Sequence, residues 1–222
     1  MKFYFHASPN SMKVALLLEE LGVSYDVVPV DIFAGAQHEP AFRRLNPNEK
    51  VPVLTDAGIT VFDSHAILLH LAEREGRFWT KVPEARAATL SWLQLVATGL
   101  SPFSGQAAHF LHYAPEPIAY AQRRYVKEVA RHYEVLDRRL GEARYLAGSE
   151  YSIADMALWG WAISAGYVFG ERGLDDYSNV ARLIAEISAR PAAARAFALR
   201  EGLSFKSEVD AETRRALFPQ NE

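Results

Sequence analysis

Residues 46–54 read Asn-Pro-Asn-Glu-Lys-Val-Pro-Val-Leu, and residues 62–69 read Phe-Asp-Ser-His-Ala-Ile-Leu-Leu. In the first stretch a loop rich in Asn and Pro delivers Pro52 to the start of an apolar strand. In the second, Asp63-Ser64 stand where an apolar helical pattern begins. Between them Asp56-Ala57-Gly58 mark a hairpin turn joining strands at residues 53–55 and 60–62. An exposed peptide edge, a lysine and a helix N-terminus bearing hydroxyl and carboxylate are thereby gathered in one region. That set suits a small, peptide-like, anionic ligand.

Upstream, residues 2–6 alternate aromatic and polar side chains as a short strand does. Ser8-Pro9 then opens a helix in which Val14, Leu17, Leu18 and Leu21 keep helical spacing until Gly22 stops it. Residues 25–30 return as a strand, and the β-α-β unit so formed is expected to be parallel and right-handed. Residues 32–45 read as loop and weak helix, and a helix over 64–75 ends at Gly76. Beyond residues 77–84 only helical patterns appear. Pro83-Glu84 starts an amphipathic segment to about residue 100, followed by a stretch broken by Pro102, Pro115 and Pro117. Residues 120–140 place Tyr125, Val129, His132, Tyr133 and Leu136 on one face. Residues 152–166 are almost wholly apolar and belong at the centre, and 179–189 and 192–199 are shorter helices separated by Arg190-Pro191. The chain therefore divides into an α/β domain over 1–78 and an all-α domain over 85–222.

With 222 residues, 50% hydrophobic and 23% charged, the composition is that of a soluble globular protein. A net charge of −3 gives no reason to expect nucleic acid or an anionic membrane as partner. No apolar run is long enough to span a bilayer, and the N-terminus reads directly as a strand with no signal-peptide layout, so the cytoplasm is expected. The chain has no cysteine, which excludes disulfide scaffolds, thiolate metal sites and a cysteine nucleophile. Any thiol chemistry here needs a ligand that brings the thiol. The seven histidines form no metal-site grouping, His109 and His112 lacking a third ligand, so no metal is expected.

Several residues could carry chemistry. Ser8 reads first as a helix cap, yet a capping Ser keeps an O–H to donate and sits in the positive field of a helix end. A thiol held there ionises more easily, and Asn10 can add an amide donor. The Val51-Pro52 bond is expected to be trans on frequency alone; were it cis, Val51 could turn its N–H and C=O outward to pair with an extended peptide. Lys50 is a loop lysine within reach of a ligand carboxylate. Asp63 and Ser64 cap a helix, and can equally hold the ammonium and carboxylate of an amino-acid head. Ser152 to Asp155 is a capping-box variant, read as a folding element. The Arg pairs 123–124, 138–139 and 214–215 read as solvated helix faces, and Trp92, Trp159 and Trp161 as core. Phe103, Phe110 and Tyr113 could line an apolar pocket.

Together these elements resemble the glutathione S-transferase family over nearly the whole chain. Residues 46–54 resemble its glutathione loop, where the proline is cis; Asp63-Ser64 its acidic-Ser pair; and Tyr151-Ser-Ile-Ala-Asp-Met156 its C-terminal folding motif. The resemblance implies a thioredoxin-like N-terminal domain, here without Cys-x-x-Cys, followed by a helical-bundle domain. Ser8-Pro-Asn10, Gly105-Gln106, His109-Phe110, Tyr113-Ala-Pro-Glu116 and Phe218-Pro-Gln-Asn221 further resemble the bacterial nu-class enzymes and their yeast nitrogen-regulator relatives. What this implies is a homodimer that uses glutathione as co-substrate, without another cofactor, and is often better at reducing disulfides than at conjugation. By position, Ser8 and Asn10 would meet the glutathione sulfur, and Gln37 and Lys50 its glycyl end. The Val51 backbone would pair with the cysteinyl unit, Asp63 and Ser64 would hold the γ-glutamyl head, and Arg124 would reach the ligand region. Two positions depart from the pattern: Asp63 stands where Glu is usual, and Glu49 where Gly is frequent. A low-turnover glutathione-binding or regulatory protein is the alternative to an enzyme.

Overall fold

The computed structural model describes residues 1–221. Strand β1 (Lys2–Phe5) buries Phe3 and Phe5 completely, and helix α1 (Pro9–Leu21) follows, ended by Gly22 in the left-handed conformation. Strand β2 (Asp26–Pro29) pairs parallel with β1, and β3 (Val53–Asp56) pairs antiparallel on its other side. A tight turn with Ala57 and Gly58 both at positive φ, the conformation a two-residue hairpin demands, leads to the edge strand β4 (Ile59–Phe62). The sheet order is β2-β1-β3-β4. A short helix α2 (Pro40–Arg43) lies in the connection before β3, and α3 (Ser64–Glu75) packs back beside α1.

The rest is helical: α4 (Pro83–Leu95), α5 (Ser101–Ala108), α6 (Ala119–Glu142), α7 (Ile153–Ala162), α8 (Gly166–Phe169), α9 (Ser178–Ser188), α10 (Pro191–Glu201) and α11 (Ala211–Leu217). Pro102 does not break its stretch as the sequence implied. It sits in the first turn of α5 directly after a wider π-helical turn at Val96–Leu100, and with a second such turn at His109–Tyr113 the helix continues on either side. Helix α7 is the buried core helix its composition promised, with Trp159 fully enclosed. Its capping box is complete: the Asp155 carboxylate accepts from Ser152 N (2.9 Å), Ser152 Oγ (3.1 Å) and Leu146 N (2.8 Å).

One core runs through both parts of the chain. Helix α1 is pressed between the sheet and α7, and a Cβ on Gly160 would lie 2.5 Å from the Pro9 carbonyl oxygen and 2.9 Å from Lys13 Cβ. Only glycine allows so close an approach. Ion pairs of Arg190 with Glu20 and of Arg195 with Glu19 (2.6 Å) tie the far end of α1 to α10. The C-terminal segment then returns over the sheet domain: Lys206 N donates to Asp31 (2.8 Å), and the Phe205 ring lies 4.3 Å from that of His6. Among the described residues no helix is long and apolar enough to cross a membrane.

Candidate functional site

Sheet register decides which residues meet. Lys2 faces Thr55 and Tyr4 faces Val53, while Val53 faces Phe62. Continuing both ladders toward the end of β1 brings the approach to Ser8, the Val51-Pro52 entry to β3 and the Asp63-Ser64 exit from β4 to one end of the sheet. Helices α1 and α3 both begin there, so two helix N-termini converge and their dipoles favour an anion.

At the first of these, Ser8 caps α1: its Oγ accepts from Ser11 N at 3.3 Å and its hydroxyl donates to the enclosed Ser11 Oγ at 3.2 Å. Asn10 Oδ1 accepts from the indole of Trp161 at 3.1 Å, which leaves the amide N–H groups to donate elsewhere. Trp161 is thus not simply core. It fixes Asn10 from the helical domain, a role hidden because α7 after Asp155 is apolar throughout.

At the second, Asp63 takes a positive φ and caps α3, its carboxylate accepting from His65 N (2.9 Å) and Ala66 N (3.2 Å). The shorter acid fits this capping role, and with 64% of its side chain exposed the carboxylate still faces outward. Ser64 is buried, with its Oγ 3.4 Å from His65 Nδ1. Beneath them lies Lys13, wholly enclosed, its Nζ 3.4 Å from both His65 Nε2 and Ser101 Oγ. Burial lowers the Lys13 pKa to about 7 despite the Asp63 charge, and burial together with Lys13 lowers that of His65 to about 2. The sequence reading overlooked this pair. The available signal was a lysine three and four residues before Leu16 and Leu17, on the apolar face of α1.

The Val51-Pro52 bond is cis, correcting the expectation from frequency. Just before it the Lys50 carbonyl is held by Asn46 Nδ2 (2.6 Å), whose own Oδ1 accepts from Asn48 N (2.9 Å). Lys50 itself is exposed. Glu49 adopts φ 54°, which explains a preference for glycine at this place. Its carboxylate is paired with His38 and with Arg43 (3.1 Å), and these contacts hold its pKa below the usual range, so its charge is answered locally. Gln37 is buried, and its Nε2 donates to the Ala216 carbonyl (2.8 Å) while Oε1 has no partner. The fold therefore links this loop to α11.

Other candidates are placed differently. Arg124 lies exposed on α6, paired with Glu128 at 3.2 Å in a surface groove with Tyr120, Arg123, Lys127 and Arg131. Phe110 stacks on Tyr125 (5.4 Å), which Phe103 also approaches (6.2 Å), so both pack against α6. Tyr113 instead borders a cavity of about 280 Å³ with His109, Pro115, Phe218, Arg214 and Arg215. The 214–215 pair, read from the sequence as a solvated helix face, thus lies on a helix but faces a hollow beside α11.

Two family models match, "Glutathione S-transferase, N-terminal domain" over residues 7–74 and "Glutathione S-transferase, C-terminal domain" over residues 119–186. The disulfide-bond oxidoreductase YfcG of Escherichia coli is 44% identical over 165 residues, covering 71% of this chain and 77% of its own. A glutathione transferase family member from Pseudomonas fluorescens, solved with two glutathione bound, superposes with a TM-score of 0.83 at 33% identity, covering 88% of this chain and 91% of that one. A glutathione transferase from Pseudomonas putida, with one glutathione disulfide bound per subunit, gives a TM-score of 0.81 at 33% identity, covering 88% and 89%. Both family models and the extent of these likenesses lead to one statement of kinship: the chain belongs to the glutathione S-transferase family.

Proposed function

We propose that this chain is a glutathione-dependent enzyme whose main reaction is reduction of small disulfides. The observation that carries the reading is the convergence of two capped helix N-termini, Ser8 and Asp63-Ser64, at the Val51 edge of a protein with no thiol of its own. The exposed Asp63 carboxylate takes the ligand ammonium, Ser64 the adjacent carboxylate, and Lys50 the glycyl carboxylate. Gln37 supports that end of the site from beneath the loop, and the Val51 backbone pairs with the cysteinyl unit. Ser8 and Asn10 donate to the sulfur, favouring thiolate over thiol.

The chemistry balances without a protein cysteine. The bound thiolate attacks one sulfur of the disulfide, forming a mixed disulfide and expelling the other half as thiolate. A second glutathione thiolate attacks the mixed disulfide on its glutathione sulfur, yielding glutathione disulfide and the second reduced half. The relatives named for disulfide-bond oxidoreduction, and those solved with two glutathiones or with glutathione disulfide, support this order. Conjugation is the second reading, favoured by the aromatic cavity beside Tyr113: the thiolate attacks an electrophilic carbon, an S–C bond forms and halide departs. Residues 1–78 then form the glutathione-binding unit and 85–222 the unit that receives the second substrate. We place the reaction in the cytoplasm and in a homodimer. Exposed Ile59 and Phe62 on β4, and Ile118 and Tyr120 beside Arg124, are apolar residues that a second copy can cover.

The test is retention on immobilised glutathione, followed by parallel turnover of a small disulfide and an aryl halide. Retention with faster disulfide turnover is expected. Failure to bind glutathione refutes both chemistries, and binding without turnover of either substrate identifies a regulatory binding protein instead.

A further inference from the structure

A lysine with no exposed surface is costly to keep, and nothing in the reaction above uses Lys13. Its neighbours form a line through the protein: Ser101 Oγ on α5, Lys13 Nζ on α1, His65 Nε2 and Nδ1 on α3, then Ser64 Oγ, with each polar gap 3.4 Å. The donor inventory gives this line a direction. An ammonium has hydrogens and no acceptor, so the nitrogen facing it, His65 Nε2, must be the bare one. A neutral imidazole carries its single hydrogen on the other nitrogen, and burial keeps His65 neutral. Nδ1–H therefore points at Ser64 Oγ, and the Asp63 carboxylate 3.9 Å from Nδ1 favours the hydrogen there too. With its oxygen accepting from His65, Ser64 has its own hydrogen free to turn outward.

We infer that Lys13 and His65 are positioning residues that fix the His65 tautomer, so that the Ser64 hydroxyl stands oriented as a donor to the carboxylate of the bound ligand. This inference rests on the reading of Ser64 as a glutathione contact and assigns work to two residues outside the contact surface. Neither touches the ligand. Their effect is to remove the hydroxyl's alternative orientation, in which its hydrogen would be spent on the histidine.

The experiment has two parts, both at pH 6, where Lys13 is protonated. Nitrogen-15 spectra of the imidazole rings in the wild-type chain are expected to show His65 protonated on Nδ1 and bare on Nε2. In Lys13→Met, an apolar replacement of similar length, a shift toward the Nε2–H form is expected. Glutathione dissociation constants are then measured for wild type, Lys13→Met, Ser64→Ala and the double variant. Lys13→Met is expected to weaken glutathione about tenfold, the loss of one well-aimed donor to a charged group, with kcat at saturating glutathione within about twofold. In the Ser64→Ala background the same substitution is expected to change affinity less than about twofold, since the relay acts only through that hydroxyl. An Nε2–H tautomer in the wild type overturns the inference, and needs no variant to fold. An equal loss of affinity with and without Ser64 also overturns it, because Lys13 would then act on the ligand directly. Wild-type protein that binds no glutathione refutes the proposed function instead, and the tautomer in the free protein still decides the direction of the relay.

Discussion

Replacement of Ser8 by alanine isolates what the site does to a thiol. The Ser8 hydroxyl donates to Ser11 Oγ at 3.2 Å, and its oxygen accepts from Ser11 N at a long 3.3 Å. A sulfur anion arriving beside Ser8 draws the hydrogen away from Ser11. The enclosed Ser11 hydroxyl can donate back to the Ser8 oxygen, so the exchange leaves the hydrogen-bond count intact. The net gain is then that of one hydroxyl donor to a charged acceptor, about 1.5–3 kcal/mol. At about 1.36 kcal/mol per unit, Ser8→Ala raises the pKa of bound glutathione by about 1–2 units. Titrating the ultraviolet absorbance of the thiolate in the binary complex measures this directly, and turnover below the shifted pKa should fall about 10- to 100-fold in parallel. Because loss of the cap itself costs about 1 kcal/mol of stability, the unfolding free energy of both proteins is needed beside the titration. Ser8→Thr, which keeps hydroxyl and cap, should retain the wild-type pKa. An identical thiolate pKa in wild type and Ser8→Ala would refute the reasoning and leave Ser8 as a cap alone.

Three further outcomes concern the frame around the site. Asp155→Ala orphans the donors at Ser152 and Leu146 inside the core; about 3–5 kcal/mol of stability should disappear, read as a lower urea midpoint at unchanged glutathione affinity per folded molecule. Gly160→Ala places a methyl group 2.5 Å from the Pro9 carbonyl oxygen, so α1 and α7 must separate; about 1–3 kcal/mol of destabilisation is expected, together with weaker glutathione binding, because Pro9 adjoins Ser8. Lys13 gives a pH signature. Its pKa is about 7 in the folded chain against 10.5 for an ordinary lysine, so between those values the unfolded chain binds the extra proton. Stability should therefore rise with pH across that window, by at most about 1.4 kcal/mol per unit, and the Lys13 contribution should level off below pH 7, where both states hold the proton. Lys13→Met should flatten the slope in denaturant titrations between pH 7 and 9, and an unchanged slope would assign it to other groups.

Local chemistry made much of this fold readable. Gly22 and Gly76 stop their helices in the left-handed conformation, Ala57-Gly58 make the hairpin, and Ser152 with Asp155 starts the central helix, each through contacts within a few residues. Ser8, Val51 and Ser64 were legible as a group because sheet order gathers the ends of β1, β3 and β4. What escaped depends on contacts across long sequence separations. The pairing of Lys13 with His65 spans 52 residues and that of Trp161 with Asn10 spans 151, and neither has a periodic signature. The same holds for Gln37 and Ala216, 179 residues apart, whose contact turns an assumed ligand-facing amide toward α11. Asn46, by contrast, lies four residues from Lys50 and holds its carbonyl, yet the isomer of the neighbouring proline stayed out of reach of frequency arguments.

The contact of Gly160 with α1 has a bearing on separability. The face of α1 that includes Lys13 and the Pro9 carbonyl is covered by α7, which belongs to the other half of the chain. A fragment ending near residue 78 would leave that face, and the ammonium within it, open to water. The sheet half is thus not a portable ligand-binding cassette. Melting of the helical half and release of glutathione should therefore coincide in a single transition.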